Sequence, residues 1–233
     1  GAILQQGNEQ VAQATVELTA PGMVVAELAD RIDVLANDSP HPLFTRHLRT
    51  IEAVVNAEWN RATILFESTP SIAREVVSYV EGILEDLDGD AGKWETYTMV
   101  RRSLALSHIT RDRTLQFYRL WLPSGWVPER SYPLAVSLHG RANPHPLSFL
   151  AFPGWAGPKP REDDDPSPEI YILEPWGRGN LGYVGIAERD VWDAINDVTR
   201  NFDVDPDRQY LTGVSMGGGG TWSLGIRTPD RWA

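Results

Sequence analysis

The strongest constraint on the fold is the stretch Gln209-Tyr210-Leu211-Thr212-Gly213-Val214-Ser215-Met216-Gly217-Gly218-Gly219-Gly220, which passes from an apolar run to a glycine cluster across one serine. It contains Gly-x-Ser-x-Gly. That spacing requires a turn so tight between a strand and a helix that the serine's neighbours carry no side chain. The reading is a nucleophile elbow: strand from Tyr210 to Val214, Ser215 held out above the sheet, and a helix from Met216 to about Arg227. Thr228-Pro229-Asp230 stops that helix. A serine at a helix N-terminus has backbone N–H groups beside it where an oxyanion would develop. Ser215 is therefore the candidate nucleophile, with Gly213 and Gly217 shaping the turn.

A strand of this kind needs partners, and the sequence upstream supplies them. Leu104, Leu106 and His108 alternate, Thr110-Arg111-Asp112-Arg113 makes a turn, and Leu115 to Leu122 continues as the second arm of an antiparallel hairpin. Leu134-Ala135-Val136-Ser137-Leu138 and Ile170-Tyr171-Ile172-Leu173 are nearly continuous apolar runs, as in strands covered on both faces. A helix from about Ala187 buries Val191, Ile195, Val198 and Phe202, and Asp203-Val204-Asp205-Pro206-Asp207 ends it. The sequence thus predicts an α/β domain over residues 99–233. Before it, three stripes at helical spacing run through Val24, Leu28, Ile32 and Leu35, through Leu48, Ile51, Val55 and Trp59, and through Ile72, Val76, Val80, Ile83 and Leu87. Thr69 and Pro70 start the third and Asp88-Gly89-Asp90 stops it. These define a helical region over 21–98, preceded by a poorly ordered lead-in over 1–20.

Composition removes several classes of function. The net charge is −11, which argues against binding to a phosphate backbone, and nucleic acid is not an expected partner. With no cysteine, disulfides, thiolate metal sites and a cysteine nucleophile are excluded. No apolar run reaches the length of a membrane span. The acidic run Glu162-Asp163-Asp164-Asp165 lies in a long Pro-rich connection, 141–169, and reads as a solvated loop; no metal site is expected. Phe152, Trp155 and Trp176 could line an aromatic pocket, although each alone reads as loop packing, and Trp176, just after a strand tip, is the candidate substrate contact. Gly177, Gly179 and Gly182 form Gly-x-Gly-x-x-Gly after a strand, but they do not open directly into the helix, so a dinucleotide cofactor is not expected.

Four phrases together carry a resemblance: Tyr132 to Gly140, ending Ser137-Leu138-His139-Gly140; Gly177-Arg178-Gly179; Tyr183 to Val191; and Val204 to Gly218. In these, residues 100–233 resemble the first part of an α/β-hydrolase fold, in its esterase branch with prolyl-oligopeptidase-like, polyhydroxyalkanoate-depolymerase-like and feruloyl-esterase-like members. The resemblance implies a serine esterase working through an acyl-enzyme on Ser215. Its oxyanion hole would be the backbone N–H groups of Met216 and Arg141, with Gly140 letting the loop approach and His139 shaping it. It implies no cofactor, and a small-molecule or polymeric ester as substrate. In that family the acid and the histidine follow the nucleophile in the chain. All five histidines here, His41, His47, His108, His139 and His145, precede Ser215. The expectation is that the acid, the histidine and further strands lie on a C-terminal remainder or a second polypeptide. Peptide hydrolysis is the alternative within the same chemistry, and a non-catalytic scaffold is the alternative outside it. The compartment is not readable from the sequence.

Overall fold

The computed structural model describes residues 29–39, 41–62, 78, 81, 82, 84, 85, 102–141 and 169–233. The lead-in, the third helical stripe with its start and stop signals, the acidic run, Phe152, Trp155 and His145 lie outside the described residues.

Five strands form one mixed sheet: β1 (Ser103–Ile109), β2 (Leu115–Trp121), β3 (Tyr132–Leu138), β4 (Tyr171–Pro175) and β5 (Val204–Gly213). Their spatial order is β1-β2-β4-β3-β5. The hairpin β1–β2 is antiparallel and β2 meets β4 antiparallel, whereas β3 lies parallel to both β4 and β5. This is an α/β fold in which an antiparallel hairpin leads into parallel strands. The apolar runs in β3 and β4 have the predicted burial: Leu134, Val136, Tyr171 and Leu173 are fully enclosed.

Helix α1 (Pro42–Ala62) packs against β1, α2 (Ile186–Asn201) connects β4 to β5, and α3 (Met216–Arg227) follows β5. The predicted stripe of α2 is buried from Val191 through Val198 to Phe202. In α1, Leu48 and Ile51 are buried, and in the helical residues 29–38 Ile32 is. The polar face of α1 has a second task. His47 Nδ1 accepts the Ala105 N–H at 2.9 Å, Thr50 and Ser107 share a hydroxyl bond of 2.9 Å, and Arg46 donates to the Ser107 carbonyl. Strand β1 is an edge, and His47 and Arg46 satisfy backbone groups that its ladder leaves open.

One boundary differs from the sequence expectation. Strand β5 begins at Val204, paired with Tyr132, instead of at Tyr210. Between Tyr132↔Val204 and Leu134↔Gln209 the register shifts, and residues 205–208 stand opposite Pro133 alone. Pro133 has no N–H for the ladder, and Asp205 accepts the Asp207 N–H at 2.9 Å, so the acidic segment loops out without ending the strand.

Candidate functional site

The turn around Ser215 is held by backbone. Val214 N–H donates to the Leu138 carbonyl at 3.2 Å, which ties the end of β5 to the end of β3, and Gly217 N–H donates to Val214 at 2.8 Å. No side chain fits at the two flanking glycines. A Cβ on Gly213 would lie 2.4 Å from the Gly217 carbonyl oxygen, and one on Gly217 would lie 1.9 Å from the Leu138 oxygen. Both contacts are with main chain, which cannot step aside cheaply.

Ser215 occupies the N-cap of α3 with φ 54° and ψ −115°. That is the first central position of a type II′ turn, which glycine dominates. Gly185 at the N-cap of α2 has φ 59° and ψ −115°, the same conformation with the expected residue. Serine is also a favoured capping residue, because its hydroxyl can accept a helix N–H. Ser215 makes no such bond. Its side chain is exposed, and among the described residues no histidine or carboxylate bonds it.

Gly140 brings the β3 loop against this turn. A Cβ there would be 3.6 Å from Ser215 Cβ and 3.4 Å from the Val214 carbonyl oxygen. Among the described residues, the backbone N–H groups of Met216 and Arg141 make no hydrogen bond. His139 lies just behind, buried, with Nε2 donating to the Trp176 carbonyl at 2.9 Å and Nδ1 2.7 Å from the Gly140 oxygen. The structure thus brings Ser215, Met216, Gly140, His139, Gly213 and Gly217 together. The Trp176 ring stacks on Phe117 with centroids 4.8 Å apart, and its carbonyl is what His139 uses.

Two residues outside the predicted set complete the support. Tyr183 (φ 58°) is fully buried, meets His139 edge-on at 5.5 Å and donates its hydroxyl to the His139 carbonyl at 3.3 Å. Its ring fills the space that side chains at Gly177 and Gly220 would need, and burial drives its phenol far above its ordinary pKa. Arg178 (φ 58°) clamps the same loop, from Nε to Asp190 at 2.6 Å and from Nη1 to Asp112 at 2.9 Å. Arg178 holds the Asp112 carboxyl well below the usual carboxylate range. The glycines of 177–182 are accounted for by this packing and by φ values of 54°, 72° and 75° at Gly177, Gly179 and Gly182. A glycine cluster around one aromatic, Tyr183, was the sequence signal for the packed turn; the Arg178 clamp had none, since its acids lie 66 and 12 residues away.

Among the described residues, no group of three or more His, Cys, Asp or Glu could hold a metal ion, and no helix is long and apolar enough to cross a membrane.

In class, this is an α/β fold, with a serine at a strand–turn–helix junction on a parallel strand. Solved structures to which the chain is similar include a thermostable esterase, at 25% identity and a TM-score of 0.44 over 58% of this chain and 40% of that one. A ferulic acid esterase is similar at 19% identity and a TM-score of 0.42, over 56% of each chain. An S-formylglutathione hydrolase from Agrobacterium tumefaciens follows at 15% and 0.38, over 56% of this chain and 55% of that one. The chain therefore spans between 40% and 56% of the length of these three. No protein-family model matches the sequence, and no curated protein matches it.

Proposed function

We propose that residues 99–233 are the nucleophile-bearing part of a serine hydrolase that cleaves carboxylic esters through an acyl-enzyme on Ser215. The observation that carries this reading is the pair of helix entries. Where the II′-type turn serves only the backbone, at 185, the chain uses glycine; at 215 it places a serine in the same strained conformation and gives its hydroxyl no capping bond.

In this reading Ser215 Oγ attacks the ester carbonyl carbon, and its proton passes to a histidine base. The carbonyl oxygen becomes an oxyanion facing the N–H groups of Met216 and Arg141, whose lack of other partners among the described residues supports the role. Collapse expels the alcohol, which takes the proton from the histidine, and water then releases the acid by the same steps reversed. Gly140 permits the close approach, His139 and Tyr183 position the loop, and Trp176 flanks the site. The base and its acid are assigned to a segment following residue 233 or to a second polypeptide. The exposed Trp222 and Ile226 of α3, 74% and 69% accessible, are consistent with a further layer there. The helical region is assigned to residues 21–98, after a lead-in over 1–20, and its described helix α1 packs on β1, at the opposite edge of the sheet.

The test is fluorophosphonate labelling with intact-mass measurement and peptide mapping, on the chain alone and on material carrying its downstream histidine. Labelling at Ser215 that disappears in Ser215→Ala is the expected result. A folded protein that stays unlabelled in both forms is a non-catalytic scaffold, a reading favoured by the lack of any described histidine against Ser215. Aryl esters, hydroxycinnamoyl esters and a chromogenic peptide assayed side by side separate esterase from peptidase; turnover of the peptide alone overturns the ester assignment.

A further inference from the structure

A cavity of about 370 Å³ lies at the other end of the sheet, between the outer face of α2 and the end of β1, lined by residues that include His108, Arg111, Arg189, Asp193, Asp197 and Arg200. Strands β1 and β5 are the two edges of the sheet, four strand spacings apart. At about 4.8 Å per spacing that is roughly 19 Å, so this cavity is separate from Ser215.

Its charge runs against that of the molecule. The chain carries a net −11, yet Arg111, Arg189 and Arg200 converge here and none forms an ion pair among the described residues. Arg189 and Asp193 have the i,i+4 spacing that allows pairing on a helix, and they do not pair. Asp197 is already engaged by Arg46 and by the Tyr118 hydroxyl. His108 supplies the second observation: both ring nitrogens are buried and neither has a hydrogen-bond partner among the described residues. Buried polar atoms are nearly always satisfied, by protein, water or ligand. The volume is that of a small-ligand pocket.

We propose that this cleft binds a small organic anion, its phosphate or carboxylate group held by Arg189, Arg200 and Arg111 and hydrogen-bonded by His108. Guanidinium groups match the planar or tetrahedral oxygen array of such a group, and the bonds are charge-assisted. Asp193 remains open to a hydroxyl or ammonium elsewhere on the ligand and sets a limit on how much negative charge is accepted.

The His108 ring gives the site a pH signature. The groups facing it are Asp190, Asp193 and Asp197 from α2, Arg46 from α1 and the Tyr118 ring from β2, 6.0 Å away. Burial pushes the imidazole below its ordinary value, so the ring is neutral in the empty cleft near neutral pH. A bound anion favours the imidazolium, so binding takes up a proton and tightens as the pH falls.

The experiment is isothermal titration of the full 233-residue chain at constant ionic strength, with sulfate, inorganic phosphate and succinate as separate probes. Sulfate stays a dianion between about pH 5 and 8, where histidine titrates, so its pH dependence reports the protein. Saturable one-site binding is expected. Preference for sulfate and phosphate assigns a phosphate-bearing ligand, and preference for succinate a carboxylate. The double variant Arg189→Gln/Arg200→Gln weakens binding by roughly tenfold or more. Asp193→Asn strengthens it, a gain that misfolding cannot produce, and His108→Gln flattens the pH dependence. Fluorophosphonate labelling of Ser215 is unchanged in all three variants, so failure of the ester-hydrolase reading would not touch this one. Heats that do not saturate with any probe, or affinities unmoved in the double variant and in Asp193→Asn, overturn the proposal and leave His108 to bound water.

Discussion

Helices α2 and α3 are entered through the same turn and treat it oppositely. Gly185 and Ser215 differ by 5° in φ and share ψ −115°, yet one is the residue that this conformation favours and the other is not. A Cβ at Gly185 would touch nothing within 4 Å, so space does not demand glycine there; backbone conformation does. At 215 the flanking glycines are sterically compelled and the strained residue between them is not one. Strain by itself is not the mark of chemistry, since Arg178 and Tyr183 also sit at φ 58°. Their side chains are fully engaged, whereas the Ser215 hydroxyl caps nothing. Around this site, the strained residues with committed side chains, Arg178 and Tyr183, read as structure, and Ser215, with an uncommitted one, reads as function.

The largest expected effect breaks the structural half of this contrast. Arg178→Met keeps a long side chain at the same strained φ and leaves Asp190, whose side chain is 2% exposed, without its cation. Loss of one partner of a buried pair costs about 3–5 kcal/mol. Urea denaturation measures it, and a loss below about 1 kcal/mol would mean that the loop is held by Tyr183 alone. Next is Gly217→Ala, whose Cβ would sit 1.9 Å from the Leu138 oxygen and must push β3 from α3. About 3 kcal/mol is expected, at the upper end for overpacking. Fluorophosphonate labelling should fall with it, because the displaced strand end carries Gly140.

A reciprocal exchange tests the pair itself. Gly185→Ser should destabilise by about 1–2 kcal/mol from backbone strain alone, and Ser215→Gly should stabilise by a similar amount while abolishing labelling. Thermal melts of the two variants read the signs directly. If Ser215→Gly destabilises, the hydroxyl has a structural partner and the site loses its main support.

How much of this was legible in the sequence follows from the range of each signal. The sheet came through because Leu134 to Leu138 and Ile170 to Leu173 are nearly continuous apolar runs, and α2 because Val191, Ile195 and Val198 keep helical period. Gly213 and Gly217 announced their turn because a tight turn admits nothing else. The start of β5 was missed because Asp205-Pro206-Asp207 has the composition of a turn, and only the shifted pairing with β3 shows it bulging within a strand. The Arg178 clamp and the cleft around His108 join residues from different elements, and no local pattern marks them. The capping behaviour of Ser215 was equally hidden, since sequence places a serine at a helix start without saying where its hydroxyl points.

The smallest effect concerns the two acids on Arg178, which should respond to pH with opposite sign. Arg178, with Thr110 and Thr114, holds the Asp112 carboxyl below its unfolded value of about 3.9. Its contribution is therefore complete above about pH 4 and is lost as the pH falls through the lower, folded value. Burial raises Asp190, with Arg178 opposing it, so its contribution is complete below about pH 4 and declines as the pH rises through its folded value. On acidification from neutral pH, the stability difference between the parent and Asp112→Asn should narrow, while that between the parent and Asp190→Asn should move in the parent's favour. The Asp112 side chain is 38% exposed, so its term should also shrink with added salt. Chemical denaturation at a series of pH values gives both slopes. Slopes of the same sign would show that Arg178 binds the two carboxylates as one charged unit, and that burial of Asp190 has no separate consequence.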